Sequence, residues 1–466
     1  MSATPSRSKR ARTTFQCSEC GWASAKWVGR CAQCQAWATV EEATDVPARG
    51  PVALLPRTPA VPIAEVAAET AQARPTGVGE LDRVLGGGIV PGAVVLLAGE
   101  PGVGKSTLLL DVAAHAARRG ETVMYVTGEE SASQVRLRAE RIDALAPELL
   151  LAAETDLATV LGHIDAHAPR LVVIDSVQTI ADAATDGAAG GVSQVRQVAA
   201  ALIAAAKKRH IPMVLVGHVT KDGGIAGPRV LEHLVDVVCQ FEGDRHGRLR
   251  MVRATKNRYG PTDEVGCFEL SDSGIEGLAD PSGLFLSGAV DGIAGTCVTV
   301  TMEGRRPIPT EIQALVAASA LSNPRRATAG VDTSRTAMTL AVLQARHGLQ
   351  LHNHDIYVST VGGARAVEPA VDLPVALAVV SAMANRPLRA GIVAFGEVGL
   401  TGDVRATVGI KRRLSEAARL GFRRAIVPKR GAEGIDVPGI RAIAVGNLAE
   451  AVELALEPGE TAATRS

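Results

Sequence analysis

The 466-residue sequence has no excess of charge, with 49 Lys and Arg against 49 Asp and Glu. Global electrostatics therefore give no argument for a nucleic-acid partner, and any such partner must be met by local patches. No apolar run approaches the roughly 18 residues of a membrane span. The first 14 residues are polar and basic and hold no apolar stretch to act as a signal peptide. Cysteine is scarce: of seven, four sit in two close pairs near the N-terminus. In a chain without a secretory signal, that pattern reads as metal binding rather than disulfides. No internal repeat is visible. These absences predict a cytoplasmic protein with no membrane association. What is plentiful is apolar residues, 47% against 21% charged, enough to bury real cores. At about 150 residues per domain the length asks for two or three.

Residues 1–40 combine a basic tail (Arg7, Lys9, Arg10, Arg12) with a cysteine module. Cys17-x₂-Cys20-x₁₀-Cys31-x₂-Cys34 has the spacing of two knuckles closing on one tetrahedral Zn²⁺, and Gly21 and Gly29 suit the tight turns. All three tryptophans, 22, 27 and 37, lie in this module. Their plainer role is the small core that such a ribbon needs, and their alternative is to stack on bases. Between 41 and 75 six prolines mark a semi-rigid linker. From Thr76 short β-branched runs at 94–98, 123–127, 171–175 and 212–217 alternate with helical stretches such as 106–119 and 192–209. That order predicts an α/β fold, a parallel sheet covered by helices, over 76–280. Pro281, Gly283 and Gly288 mark a boundary, and a second α/β region follows over 285–456.

Gly99-Glu100-Pro101-Gly102-Val103-Gly104-Lys105-Ser106 fits G-x-x-x-x-G-K-[ST] between a strand and a helix, with Thr107 next in line. The glycines let backbone N–H groups face phosphates, and the helix N-terminus adds its partial positive charge. Lys105 is expected on the β- and γ-phosphates of ATP and Ser106 on Mg²⁺. Leu171-Val172-Val173-Ile174-Asp175 is a buried-type strand ending in an acid, the expected second partner of Mg²⁺.

Upstream stand Thr76-Gly77-Val78-Gly79-Glu80-Leu81-Asp82 and Leu85-Gly86-Gly87-Gly88-Ile89-Val90-Pro91-Gly92. With the phosphate loop and Glu129-Glu130-Ser131, these resemble the RecA/KaiC/RadA group of ATPases. Lys256-Asn257-Arg258-Tyr259-Gly260 is similar to the KNRFG motif of the bacterial RadA (Sms) DNA-repair family, with Tyr for Phe, and to a Lys-x-Arg-x-Gly element of DnaB-type hexameric helicases. The resemblance runs from the cysteine module to Val427. Hydrolysis needs a carboxylate to orient water. Glu129 is preferred, with Glu130 as a solvated neighbour, both ending a strand that lies beside the nucleotide in a RecA-like sheet. His218, ending the next core strand, stands where such motors place a γ-phosphate sensor; a satisfied core histidine is the alternative. Lys256 and Arg258 alternate on an extended segment and so point the same way, and the family implies that they complete the ATP site of the adjacent protomer. Loops that such rings turn toward DNA are matched by 182–191, followed by Ser193, Gln194 and Arg196, and by 221–229 with Lys221 and Arg229.

Residues 285–456 resemble the proteolytic domain of Lon through Glu368-Pro369-Ala370-Val371-Asp372-Leu373-Pro374, the stretch 395–402, and Gly409-Ile410-Lys411. Lon-type peptidases use a Ser–Lys dyad. Lys411 matches the lysine, but Ala370 stands where the serine belongs, and Ser359, Thr360 and Ser381 fall off-register. A scaffold is therefore expected, with a basic surface of Arg305, Arg306, Arg325, Arg326, Arg412 and Arg413. Together the resemblances imply a homohexameric, single-stranded-DNA-dependent ATPase that acts with the RecA recombinase on branched recombination intermediates, promoting branch migration. The alternatives are an ATP-dependent Lon-like serine protease, and a nucleotide switch that binds protein partners through its zinc module.

Overall fold

The computed structural model describes residues 14–43, 61–65, 72–218, 230–243, 248–271, 273–287 and 292–457. The basic tail and the loop 221–229 lie outside the described residues, as does most of the linker. The chain divides between residues 67 and 68 into two compact units.

In the first unit, β1 (Thr14–Cys17) pairs antiparallel with β2 (Ala23–Ser24) and β3 (Val40–Ala43). Gly21, at φ 74°, turns the first knuckle as its position predicts. The second is turned by Gln35 at φ 63°, whose N–H donates to Cys31 O, and not by Gly29. The core is Cys17, Cys31 and Val40, with Phe15, Trp22 and Val28 packed on it. Only one of the three tryptophans joins this core: Trp27 and Trp37 are 62% and 72% exposed.

The second unit carries two large sheets. In chain order the first comprises α1 (Gly79–Leu85), β4 (Val94–Gly99), α2 (Lys105–Arg118), β5 (Val123–Thr127), α3 (Ala132–Arg141), β6 (Leu149–Ala153), α4 (Leu157–His167), β7 (Leu171–Asp175), α5 (Val192–Arg209), β8 (Met213–His218) and β9 (Val237–Gly243). Then come β10 (Leu249–Asn257), β11 (Val265–Ser271) and β12 (Gly274–Gly277). The sheet order is β12-β11-β10-β9-β4-β8-β7-β5-β6. The six strands from β9 to β6 are parallel; β10, β11 and β12 extend the sheet antiparallel, an addition to the parallel sheet expected.

Every residue of β4 is buried, as a parallel strand covered on both faces requires. The period of two sends Val95 and Leu97 to the layer of α1 and α2, and Val94 and Leu96 to the layer of α4 and α5. Helix α3 starts on a capping box in which Ser131 and Gln134 satisfy each other's backbone N–H.

After α6 (Ser282–Phe285) the second sheet is built from β13 (Thr296–Glu303), β14 (Arg306–Ala318), β15 (Arg326–Ala329), α7 (Thr333–His347), β16 (His354–Thr360), α8 (Asp372–Ala384) and β17 (Ile392–Ala394). The hairpin β18 (Glu397–Val398) and β19 (Val404–Arg405), then α9 (Ile410–Arg419), β20 (Arg424–Pro428), β21 (Arg441–Val445) and α10 (Leu448–Ala455) complete it. The order is β15-β16-β14-β13-β17-β20-β21. Helix α8 is buried over ten of its residues, with α7 and α10 on the same face of the sheet and α9 on the other.

Two arginines expected on the surface are inside. Arg306 (6% exposed) pairs with Glu80 on α1 and donates to the carbonyls of Val265, Leu278 and Ala279, tying β14 to the first sheet. Arg413 (0% exposed) forms a bidentate pair with Glu368 at 2.6 and 2.7 Å and lies over the Phe395 ring. A guanidinium is buried only when its donors are met, and here they are. Arg305, Arg325, Arg326 and Arg412 remain exposed, Arg305 paired with Asp263.

Candidate functional site

The parallel strands β4, β5, β7 and β8 end side by side, so the residues following each converge on one edge. The loop after β4 depends on two glycines. A Cβ on Gly99 would stand 2.4 Å from the Phe241 carbonyl oxygen, and one on Gly104, at φ 112°, would stand 2.2 Å from Ile275 Cδ1. Glu100, Pro101 and Gly102 are exposed at the loop tip, Val103 anchors it in the core, and Ser106 and Thr107 sit half-buried in the first turn of α2. Lys105 Nζ spans the loop, donating to Gly99 O at 2.8 Å and Glu100 O at 2.9 Å. Burial pulls its ammonium below the ordinary range, opposed by Asp175 and Glu129.

Asp175 ends β7, buried, and accepts a 2.6 Å hydrogen bond from the Tyr125 hydroxyl. Burial, then the Asp175 charge, pushes the Tyr125 phenol far above its usual range, so it remains a donor. Glu129 accepts from Ser176 Oγ at 2.5 Å and lies 3.0 Å from His218 Nε2. The His218 contact first, then Ser176 and the Lys105 charge, hold its carboxyl at about 2 against a burial penalty. Glu130 is not the solvated neighbour expected: Arg138 clamps it through two bonds of 2.6 and 2.7 Å. Lys105, Asp175, Glu129 and His218 are thus brought together, each from a different strand end. Sequence reasoning missed Tyr125, Ser176 and Gln178, whose Nε2 donates to the His218 carbonyl at 3.4 Å. The available signals were a hydroxyl in an otherwise apolar strand and polar residues directly behind the acid.

Lys256 and Arg258 both reach the segment 232–236, far from this loop, and β10 shifts register between Ala254 and Lys256. Lys256 pairs with Val238, which pairs with Leu96, whereas Gly99 pairs with Phe241. The cations therefore sit at the opposite edge of the sheet, roughly 10 Å back along the strands and two strands across. Lys256 Nζ donates to the carbonyls of Glu232 and Val235, and Arg258 pairs with Asp236 at 3.1 Å. Asp236, also unforeseen, is buried and accepts from Val94 N and Lys207 Nζ.

Of the loop residues considered for DNA, Ser193 and Arg196 are exposed. Gln194 is buried instead and staples the loop, donating to the carbonyls of Asp182, Thr185 and Gly187.

In the cysteine module the four Sγ atoms lie within 4.8 Å of one another, with Cys17–Cys34 at 3.7 Å and Cys20–Cys31 at 3.6 Å. Four sulfurs at about 2.3 Å from a tetrahedral zinc stand roughly 3.8 Å apart, so the set fits that ion. Cys17 Sγ also stands 3.3 Å from the Thr39 hydroxyl, which ties the first knuckle to the segment before β3.

In the C-terminal sheet region Ala370 lies in the short turn before α8, buried in the same cluster as Ile410 and Leu414 of α9, and Lys411 is exposed. Position 370 offers no oxygen. Ser381 is buried and committed, accepting from Gly295 N and donating to Arg386 O.

A fold that gathers a phosphate loop, its lysine and two acids on one sheet edge defines an ATP-hydrolysing protein of the P-loop, RecA-like class, here with a four-Cys ribbon. The comparisons agree: residues 61–224 match the AAA domain, 15–42 the rubredoxin metal binding domain, and 327–431 the subunit ChlI of Mg-chelatase. The chain is 53% identical to the DNA repair protein RadA of Mycobacterium tuberculosis (strain CDC 1551 / Oshkosh), over 97% of this chain and 96% of that one. It is 52% identical to the RadA of Mycolicibacterium smegmatis (95% and 97% covered) and 44% to that of Halalkalibacterium halodurans (96% and 99%). The chain belongs to the RadA family of DNA repair proteins.

Proposed function

We propose that the chain is a DNA-dependent ATPase of homologous recombination and repair, working as a homohexameric ring that translocates on single-stranded DNA and drives branch migration alongside the RecA recombinase. Its parts are the zinc module (1–40), the linker (41–75), the motor (76–280) and a Lon-like scaffold (285–456). The observation that carries this reading is the separation of Lys256 and Arg258 from their own phosphate loop. Two cations at the far end of the strands are out of reach of their own chain's phosphate loop, which supports the reading that they serve the nucleotide of a neighbour.

Within one chain, the backbone of residues 99–107 would cradle the phosphates of ATP, Lys105 would neutralise the β- and γ-phosphates, and Ser106 and Asp175 would hold Mg²⁺. Bound Mg²⁺ supplies charge neutralisation on the transferring phosphoryl group. Tyr125 fixes the rotamer of Asp175 through its 2.6 Å bond. Glu129, ionised and oriented by Ser176 and His218, accepts the proton of the attacking water. Lys256 and Arg258 of the next protomer stabilise charge on the γ-phosphate, an effect worth about 10³–10⁵ in rate where a trans arginine has been measured. The protease alternative loses its footing at Ala370.

Steady-state ATPase assays with and without single-stranded DNA test the proposal on Lys256→Ala. Nucleotide binding should survive nearly intact while DNA-stimulated turnover falls by at least about a hundredfold. Normal turnover would remove the trans assignment, and turnover indifferent to DNA would favour a nucleotide switch.

A further inference from the structure

The zinc module has settled its own core without two of its three indoles. Cys17, Cys31, Val40, Phe15, Trp22 and Val28 fill the interior, while Trp27 and Trp37 stand 62% and 72% exposed. Large apolar rings left outside a complete core mark a surface that meets something else.

The backbone fixes where these rings stand. Arg30 and Trp37 form an antiparallel bridge, and Ala38 N donates to Gly29 O beside it. Trp27 lies along Gly29: a Cβ there would make an ordinary 3.7 Å contact with Trp27 Cη2. Both indoles therefore gather around one two-stranded crossing.

The cations of this surface are placed with the rings. The Arg30 guanidinium is held by a 2.9 Å bond from Nε to Gln35 O and stands 5.5 Å from the Trp37 ring centroid. Lys26, next to Trp27, is exposed. The acids with described side chains, Glu19 and Glu41, belong to the first knuckle and to β3 rather than to this crossing.

Flat π faces with a guanidinium and an ammonium beside them match one ligand chemistry: unpaired bases joined by phosphates. We propose that Trp27, Trp37, Arg30 and Lys26 form a stacking platform for single-stranded nucleic acid, a contact separate from the one the motor makes. It rests on the DNA-motor reading for its ligand and deepens that reading by giving the zinc module a grip on the strand. Stacking is tolerant of sequence, so the platform holds any unpaired stretch.

The chain offers its own reporter, because all its tryptophans lie in this module. Full-length, zinc-loaded protein is titrated with a fluorescein-labelled oligo(dT) strand, following anisotropy for binding and, with the unlabelled strand, tryptophan emission for contact at the module. Emission should quench along the same isotherm as anisotropy rises. Trp27→Ala and Trp37→Ala should each weaken binding about five-fold or more at unchanged zinc content, and Trp37→Phe should keep most of the affinity. A rise in anisotropy with unaltered emission, or Ala variants that bind like the wild type, overturns the platform and leaves the motor reading standing. Absence of any anisotropy change overturns both.

Discussion

At the scale of single residues, the site turns on which groups are already spoken for. Glu129 is held by Ser176 and His218, and Glu130 by Arg138. The sequence favoured Glu129, but the clamping of Glu130 was not legible in it, because that depends on where α3 sets down Arg138, eight residues away. The held carboxyl has a pH consequence. Its value of about 2 lies below the ordinary 4.5, so the stability its charge contributes is complete above 4.5 and is lost as pH falls toward 2. Protonation of Glu129 should therefore not limit turnover anywhere near neutrality. His218 is the largest cause of the depression. In His218→Ala the acid limb of the ATPase pH profile should move toward neutrality, together with a loss of rate. An acid limb that stays in place would show that Glu129 is not the base.

Among the elements, the strands carrying chemistry could be read from sequence because each is a short β-branched run buried on both faces. Leu171–Asp175 and Val123–Thr127 stand as their residues predict. The antiparallel extension was not legible: β10 alternates buried and half-buried residues, β11 is buried over its first four residues only, and β12 is four residues long. Nor did sequence separate buried from exposed arginines. Arg412 and Arg413 are neighbours on α9, a quarter-turn or so apart, and only the second meets Glu368. Removing one partner of such a buried pair costs about 3–5 kcal/mol. Arg413→Ala should lower the denaturation midpoint accordingly, with a loss near zero counting against the pair. The same pairing bears on peptidase chemistry. Ala370→Ser should yield no cleavage of casein, because Lys411 is turned to solvent and Arg413 and Glu368 occupy each other. Any ATP-dependent proteolysis by that variant would reopen the protease reading.

On the scale of the whole molecule, the order of zinc module, phosphate-loop sheet and second sheet was legible from spacing, whereas the joint between the two sheets was not. Glu80 and Arg306 lie 226 residues apart, and nothing in either segment announces the other. The metal makes a separate prediction. Four thiolates around one Zn²⁺ imply that a strong chelator releases one zinc per chain, with a change in tryptophan emission, since the reporter residues lie between and beside the ligands. Emission unaltered by complete zinc loss would separate the indoles from the ribbon's folding.

The placement of Lys256 and Arg258 at the sheet edge away from residues 99–107 has one more consequence, a genetic one. If catalysis occurs only between chains, then Lys105→Ala and Lys256→Ala are each inactive alone for different reasons. The first lacks a working nucleotide site but keeps its cations, and the second the reverse. Mixed in equal amounts, they should rebuild wholly native junctions at about a quarter of the interfaces between chains, and ATP turnover should reappear from two dead preparations. A mixture as inactive as its components would mean that each chain works alone.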